Sequence, residues 1–265
     1  MNSLSKTDLD SYSETYAQQG YLVLKGVVPK LQLSELKTRI FDEFEISKRS
    51  GKLFDGGGNI SGHLNCFPGE GSRFALTALE EHGVTDLIKR LYDKPMQLRV
   101  SCNFNMPKSV AQHYHMDGVF VEDFMIANIA VVDTDLVNGA IDVLPGTHKR
   151  FFEFWRYAVQ RRYKTSTRLP LAQGDVLVRT SRLWHRGMPN KSNASRPMLA
   201  FTFGEKAAPE GDPFKVNDGQ INFDPNWFRP DLLGRIRERT FVTAPITYSA
   251  YRFARSLVGQ KGYDS

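Results

Sequence analysis

Apolar positions recur at helical spacing through the first third of this chain and alternate in short runs through most of the rest. The first rhythm predicts helices over Thr7–Ala17 and Leu31–Lys48, the second with Leu33, Leu36, Ile40 and Phe44 on one stripe. Between them Tyr21–Val28, YLVLKGVV, predicts a short apolar strand, with Gly20 before it and Pro29 after it, close to where the next helix begins. Ala75–Tyr92 predicts one further helix through Leu76, Leu79, Val84, Leu87, Ile88 and Leu91. Gly51–Ser72 shows no clear period and reads as a long loop, a class of segment that often carries function.

From Met96 the segments QLRVSCNFNMP, FMIANIAVVDT, AIDVLPGTHK, GDVLVRTSRLW and RPMLAFTFGE are β-rich and separated by Gly, Pro, Asn and Asp. One helical segment, Lys149–Lys164, interrupts them, and the chain beyond Pro209 is mixed. The expectation is a single domain over 1–265: a mainly helical portion at 1–95, a β core at 96–205 and a C-terminal extension at 206–265. Its class is mainly β with helices, a sandwich or barrel decorated by N-terminal helices and one inserted helix. With no βαβ alternation and no GxGxxG, a nucleotide-binding α/β fold is not expected.

The composition, 265 residues with 41% hydrophobic and 24% charged, is that of a globular protein able to bury a core. No apolar run reaches the roughly 18 residues of a membrane helix, so no membrane span is expected. Acids stand where a signal peptide would have basic residues. Cys66 and Cys102 form no CxxC and read as a reduced, buried pair, so the expected location is cytoplasmic. The net charge of +6 is uneven. Seven basic side chains face only Glu153 within 149–168, and seven face Asp231, Glu238 and Asp264 within 229–265. The remainder is therefore net acidic. Such localised charge suits an anionic partner, although solvated helix faces produce it too.

Candidate chemistry centres on QHYHMDGVF. In an extended segment residues i and i+2 share a face, so His115 and Asp117 can reach one ion without bending the backbone. His185, at the end of the strand GDVLVRTSRLW, is placed to supply a third donor. Two imidazoles and one carboxylate on one face of an octahedral ion leave the opposite positions open, as in non-haem iron(II) oxygenases. Eleven residues after His185, Arg196 opens a strand on which Met198, Ala200 and Thr202 share its face. A guanidinium there can bind a carboxylate in two-pronged fashion.

With NGAIDVLPGTHK (138–149) and GDVLVRTSRLWHRGMPNKSNASRP (174–197), these residues resemble the phytanoyl-CoA dioxygenase family of iron(II)/2-oxoglutarate oxygenases. QQGYLVLKGVV also resembles that family's opening strand. The likeness covers roughly residues 14–204 and is poor over 50–95 and 150–168. It implies a double-stranded β-helix (jelly-roll, cupin-like) core, iron(II) on His115, Asp117 and His185, and the distal carboxylate of 2-oxoglutarate on Arg196. Gln112 matches a position that is often polar and near the cosubstrate. Halogenating relatives replace the carboxylate by a small residue, so Asp117 favours hydroxylation. The implied reaction uses dioxygen and 2-oxoglutarate to hydroxylate a C–H bond of a small molecule, with release of succinate and CO2.

The other marked residues have plainer readings. His113 suits packing behind the site, His148 a structural turn set by Pro145 and Gly146, and Trp184 packing beside the metal site. The Lys149–Lys164 segment is either a docked surface helix or a lid whose Arg156, Arg161 and Lys164 meet an anionic substrate near the barrel mouth. Two rival functions remain: a metal-dependent cupin-like enzyme that does not use 2-oxoglutarate, and a non-catalytic binding module. A pI of about 9.2 raises nucleic acid as a partner of such a module, but no nucleic-acid-binding motif is present, so none is expected.

Overall fold

The computed structural model of the protein describes residues 6–51, 53, 58–151, 153–205, 211–224 and 231–258. Ten strands and seven α-helices, among the described residues, build two antiparallel sheets with helices against them. The arrangement is the expected jelly roll.

The first helix, α1 (Lys6–Gln19), leads into β1 (Tyr21–Leu24), and α2 (Lys30–Arg49) follows. The strand β1 ends earlier than its apolar run because Gly26 turns with φ 60° and its N–H donates to the Asp175 carboxylate. The expected helix over Ala75–Tyr92 is two helices, α3 (Arg73–Glu81) and α4 (Val84–Leu91). Gly83 breaks them with φ 72°, left-handed geometry that glycine adopts without steric strain.

The larger correction concerns residues 51–72. Residues 52 and 54–57 lie outside the described residues, but His63–Phe67 is a strand, β2, inserted between β3 (Gln97–Asn105) and β10 (Asn222–Asp224). The mainly helical portion therefore contributes two strands to the principal sheet. That sheet also contains β4 (Met125–Ala130), β7 (Val176–Thr180) and β9 (Arg196–Gly204), in the order β1-β7-β4-β9-β3-β2-β10. A second sheet holds β5 (Ile141–Val143) between β6 (Thr167–Leu169) and β8 (His185–Arg186).

Alternation along the strands gives the principal sheet two unlike faces. Val100, Cys102 and Phe104 of β3, with Leu199, Phe201 and Phe203 of β9, enter the main core. There they meet Leu33, Leu36, Ile40 and Phe44, the α2 stripe read from the sequence. Phe104 is the centre of an aromatic group, its ring 4.7 Å from Phe44 and 5.1 Å from Phe223. The residues between them, such as Ser101, Asn103 and Asn105, face a cavity on the other side.

The Lys149–Lys164 segment is less helical than expected. Residue 152 lies outside the described residues, and α5 spans only Phe154–Val159, stopped where Arg161 takes φ 52°. The mixed C-terminal part contains β10 and two helices, α6 (Leu232–Thr243) and α7 (Pro245–Leu257). Among the described residues no helix is long and apolar enough to cross a membrane.

Replacing Phe104 with Ala should lower the unfolding free energy by about 3–5 kcal/mol, because the rings around it close only partly on the cavity. Urea denaturation measures this. A loss below about 1 kcal/mol would show that Phe104 is not a keystone of this core.

Candidate active site

Residues 112–117 run antiparallel to 181–187 without forming a ladder. The N–H of His115 donates to the carbonyl of His185 at 3.0 Å, and His185 returns the bond at 2.8 Å. The Asp117 N–H donates to the Ser181 carbonyl at 2.9 Å, and the Gln112 N–H to that of Gly187 at 2.9 Å. The expected strand at His115 is thus an isolated bridge, yet the shared face of i and i+2 survives. Nε2 of His115 and Nε2 of His185 each lie 3.7 Å from a different oxygen of Asp117. One donor atom from each of the three residues lies within 4.8 Å of the others, so together they could hold a metal ion.

Each imidazole is oriented from behind. Nδ1 of His115 is 2.8 Å from the His113 carbonyl and Nδ1 of His185 is 2.9 Å from the Leu183 carbonyl. A carbonyl only accepts, so Nδ1 carries the proton and Nε2 presents its lone pair to the cavity. Burial holds both histidines below the ordinary imidazole pKa, in the neutral form a metal needs. Burial alone would raise the Asp117 carboxyl. The Arg179 cation, by its charge and its hydrogen bond, overrides it and holds the group well below the usual carboxylate range.

Arg179 was not singled out by the sequence reading. Its Nη1 donates to Asp117 Oδ2 at 2.7 Å and its Nε to Asn128 Oδ1 at 2.9 Å. Both residues are buried. The signal was present: Arg179 is the single charged position of VLVRT and Asn128 the single polar position of MIANIA. Asp142 was missed too. It accepts from the Tyr114 hydroxyl at 2.6 Å and from Nε and Nη2 of Arg186, both at 3.1 Å. Tyr114 and Arg186 are the chain neighbours of His115 and His185, so one carboxylate ties both histidine segments on the face away from the cavity.

Across β2, β3 and β9 the register aligns His63, Asn105 and Arg196 in one row lining the cavity. Arg196 is buried, and burial lowers its pKa to about 10. Its Nη2 donates to the Gly139 carbonyl at 3.3 Å, while its buried Nε has no partner. An orphaned guanidinium donor in a cavity suits an incoming carboxylate. As expected, Met198, Ala200 and Thr202 share its face and line the same space. Gln112 lines it as well, with its Oε1 accepting from the Gly187 N–H at 2.7 Å. The cavity measures about 1040 Å³. The donor set His115–Asp117–His185 fits iron(II), and the buried Arg196 fits the distal carboxylate of a 2-oxo acid.

Several other readings are settled by position. His113 is packing: its ring lies 5.5 Å from His115 and against Phe241 and Tyr248. His148 lies at the expected turn, against Tyr16. Cys66 and Cys102 face each other across β2 and β3, buried and unbonded. Trp184 does not pack beside the cavity. As the neighbour of His185 it points the other way, into a cluster with Tyr114, Met116, Leu144 and Tyr157. Arg156, Arg161 and Lys164 do not line the cavity. Instead the Trp155 N–H donates to Ser256 Oγ, docking α5 on α7.

Comparison with known proteins agrees with this geometry. The model of the phytanoyl-CoA dioxygenase family matches residues 16–198. Among solved structures, the non-haem α-ketoglutarate-dependent carbocyclase SnoK from nogalamycin biosynthesis superposes with a TM-score of 0.59, at 19% identity over 76% of this chain and 84% of that one. The epimerase SnoN in complex with Fe3+, α-ketoglutarate and nogalamycin RO gives 0.58, at 18% identity over 79% and 90%. HygX from Streptomyces hygroscopicus, with nickel and 2-oxoglutarate bound, gives 0.57, at 14% identity over 79% and 90%. At these identities the superpositions show the fold alone.

The row of site residues also makes stability depend on pH. Burial pushes His63 down to about 4. Between that value and the unfolded value of about 6.5, the unfolded chain binds a proton that the folded chain refuses. Stability present at pH 7 is therefore lost as pH falls, by about 2 kcal/mol at pH 5 from this group alone. His113, His115 and His185 act in the same direction. Urea unfolding at pH 7 and pH 5 should show the loss, and His63→Gln should reduce it. An unchanged pH slope in His63→Gln would assign the effect elsewhere.

Proposed function

The chain belongs to the phytanoyl-CoA dioxygenase family, and from that membership we propose an iron(II)- and 2-oxoglutarate-dependent dioxygenase that hydroxylates a C–H bond of a small molecule. The observation that carries this reading is one cavity lined by both the His115–Asp117–His185 donor set and the buried Arg196 with its orphaned Nε. The whole of 1–265 is read as one oxygenase domain.

In this reading Nε2 of His115, Nε2 of His185 and a carboxylate oxygen of Asp117 hold iron(II), and Arg196 holds the distal carboxylate of 2-oxoglutarate. When bound, the pair supplies the reduction of dioxygen, coupled to decarboxylation of 2-oxoglutarate to succinate and CO2, that oxidises the substrate. The protein's part is placement. The Nδ1–H groups stay on the His113 and Leu183 carbonyls and keep the rings from turning. Arg179 keeps one oxygen of Asp117 occupied. Ser101 and Ala200, opposite each other on β3 and β9, are small and leave room above the sheet for a substrate.

Hydroxylation is chosen because Asp117 completes the donor set, whereas SnoK is a carbocyclase and SnoN an epimerase. A small-molecule substrate is supported by HygX, solved with hygromycin B bound. The rival cupin-like enzyme without 2-oxoglutarate leaves the buried Arg196 without a role.

Purified protein with iron(II), 2-oxoglutarate and a panel of small molecules should release succinate. His115→Ala, Asp117→Ala and His185→Ala should each abolish iron binding and turnover while retaining the fold. Normal turnover in any one removes that residue from the assignment. Arg196→Lys replaces a two-pronged donor with a point charge and should raise the 2-oxoglutarate requirement about ten- to a hundredfold. An unchanged requirement would place the anchor elsewhere.

A further inference from the structure

The charge at this site does not balance. Two guanidinium groups, Arg179 and Arg196, line the cavity, each buried to about 5% exposure or less. Asp117 compensates one of them. Ligating imidazoles are neutral. On the reading proposed above, iron(II) and dianionic 2-oxoglutarate then cancel each other, and one positive charge is left over. A buried charge without a counter-charge is expensive. The other acids of the lining do not supply one: Asp123 is paired with Lys94 and Arg182, while Glu122 and Glu205 are exposed, where water and salt screen them.

The surplus has an address. Arg179 spends Nε on Asn128 and Nη1 on Asp117, and its Nη2 hydrogen-bonds no atom of the described residues. Two fixed nitrogens lock the plane of the group, so the third is a preorganised donor beside the candidate metal site. Arg196 cannot be that donor if it already holds the cosubstrate.

We propose that the cavity takes a third anion, a carboxylate or phosphate group of the substrate itself, hydrogen-bonded to Arg179 next to the metal. This rests on the iron(II)/2-oxoglutarate reading and narrows it. The substrate is an acid or phosphate ester, held by its charged end at the metal and not by Arg156, Arg161 and Lys164, which do not line the cavity. The carbon presented for oxidation lies close to the charged group. Arg99, the exposed cation at the far end of the same sheet row, is not the anchor.

The test uses anaerobic wild-type protein loaded with iron(II) and 2-oxoglutarate, read by the charge-transfer absorption of that complex, with acetate or inorganic phosphate as probes at constant ionic strength. Each probe should perturb the band saturably without abolishing it, and the tighter of the two names the chemical class. Arg179→Met and Arg179→Gln, given whatever iron(II) and 2-oxoglutarate concentrations each needs to form the band, should bind the probe at least about tenfold more weakly, the loss of one charge-assisted contact. Arg99→Met should bind it as wild type does. No band in wild type would overturn the iron(II)/2-oxoglutarate reading and the anion site with it. A normal band that no probe perturbs, or a perturbation that survives in Arg179→Met, overturns the anion site alone. So does loss of the band as probe is added, which would put the anion on Arg196 in competition with 2-oxoglutarate. If neither Arg179 variant forms the band, the guanidinium serves only to hold Asp117, and the anion site is likewise overturned.

Discussion

Two backbone hydrogen bonds, exchanged between His115 and His185, tie together the two segments on which the site depends. Side chains on two strands far apart in sequence can converge on an ion only if their backbones are held at strand spacing, and this bridge does so at a point where no longer ladder exists. Because each residue both donates and accepts, neither segment can slide without losing both bonds. Asp117 follows from the same constraint, since its N–H is held by Ser181 two steps along. Asp142 reinforces it from behind by binding the Tyr114 hydroxyl and the Arg186 guanidinium. Arg168, 3.8 Å from the other oxygen of Asp142, adds a second cation to the same carboxylate.

The principal sheet makes that geometry affordable. Its outer face meets α2, α3 and α4 in the main core, and Ala130, Leu177 and Met198 on its inner face pack against the second sheet, so the rest of that inner face is not needed for stability. The inner face is therefore free to carry polar groups that a closed core would exclude: Asn128 and Arg179 on β4 and β7, Arg196 on β9, Asn105 on β3, His63 on β2. Each of these is buried. Two of them, Arg196 and Asn105, keep a buried polar atom without a partner. In a site built for ligands such atoms are the places where a ligand's oxygen or donor replaces water.

The errors of the sequence reading share a cause. The strand His63–Phe67 was hidden within a glycine-rich stretch because five residues of weak alternation, HLNCF, give little periodic signal. Only its pairing with β3 on one side and β10 on the other makes it a strand. Lys149–Lys164 has the composition of an amphipathic helix, yet α5 forms over only six residues, whose Phe154 and Tyr157 pack against Tyr114, Met116 and Trp184. Trp184 was placed on the wrong side for want of one step of alternation next to His185.

The sequence by itself determined what depends on local spacing: the α2 stripe, the β-rich segments, His115 and Asp117 two residues apart, and Arg196 on one face with Met198, Ala200 and Thr202. These follow from the periods of helix and strand, which each segment carries in its own order of residues. Only the tertiary structure decided what faces what. It paired His115 with His185, set Arg179 against Asp117 and Asn128, stacked His63, Asn105 and Arg196 in one row, and left Arg156, Arg161 and Lys164 out of the cavity lining. Those relations belong to strand register and to the burial of charge, and a buried guanidinium's partner comes from whichever strand the sheet places beside it.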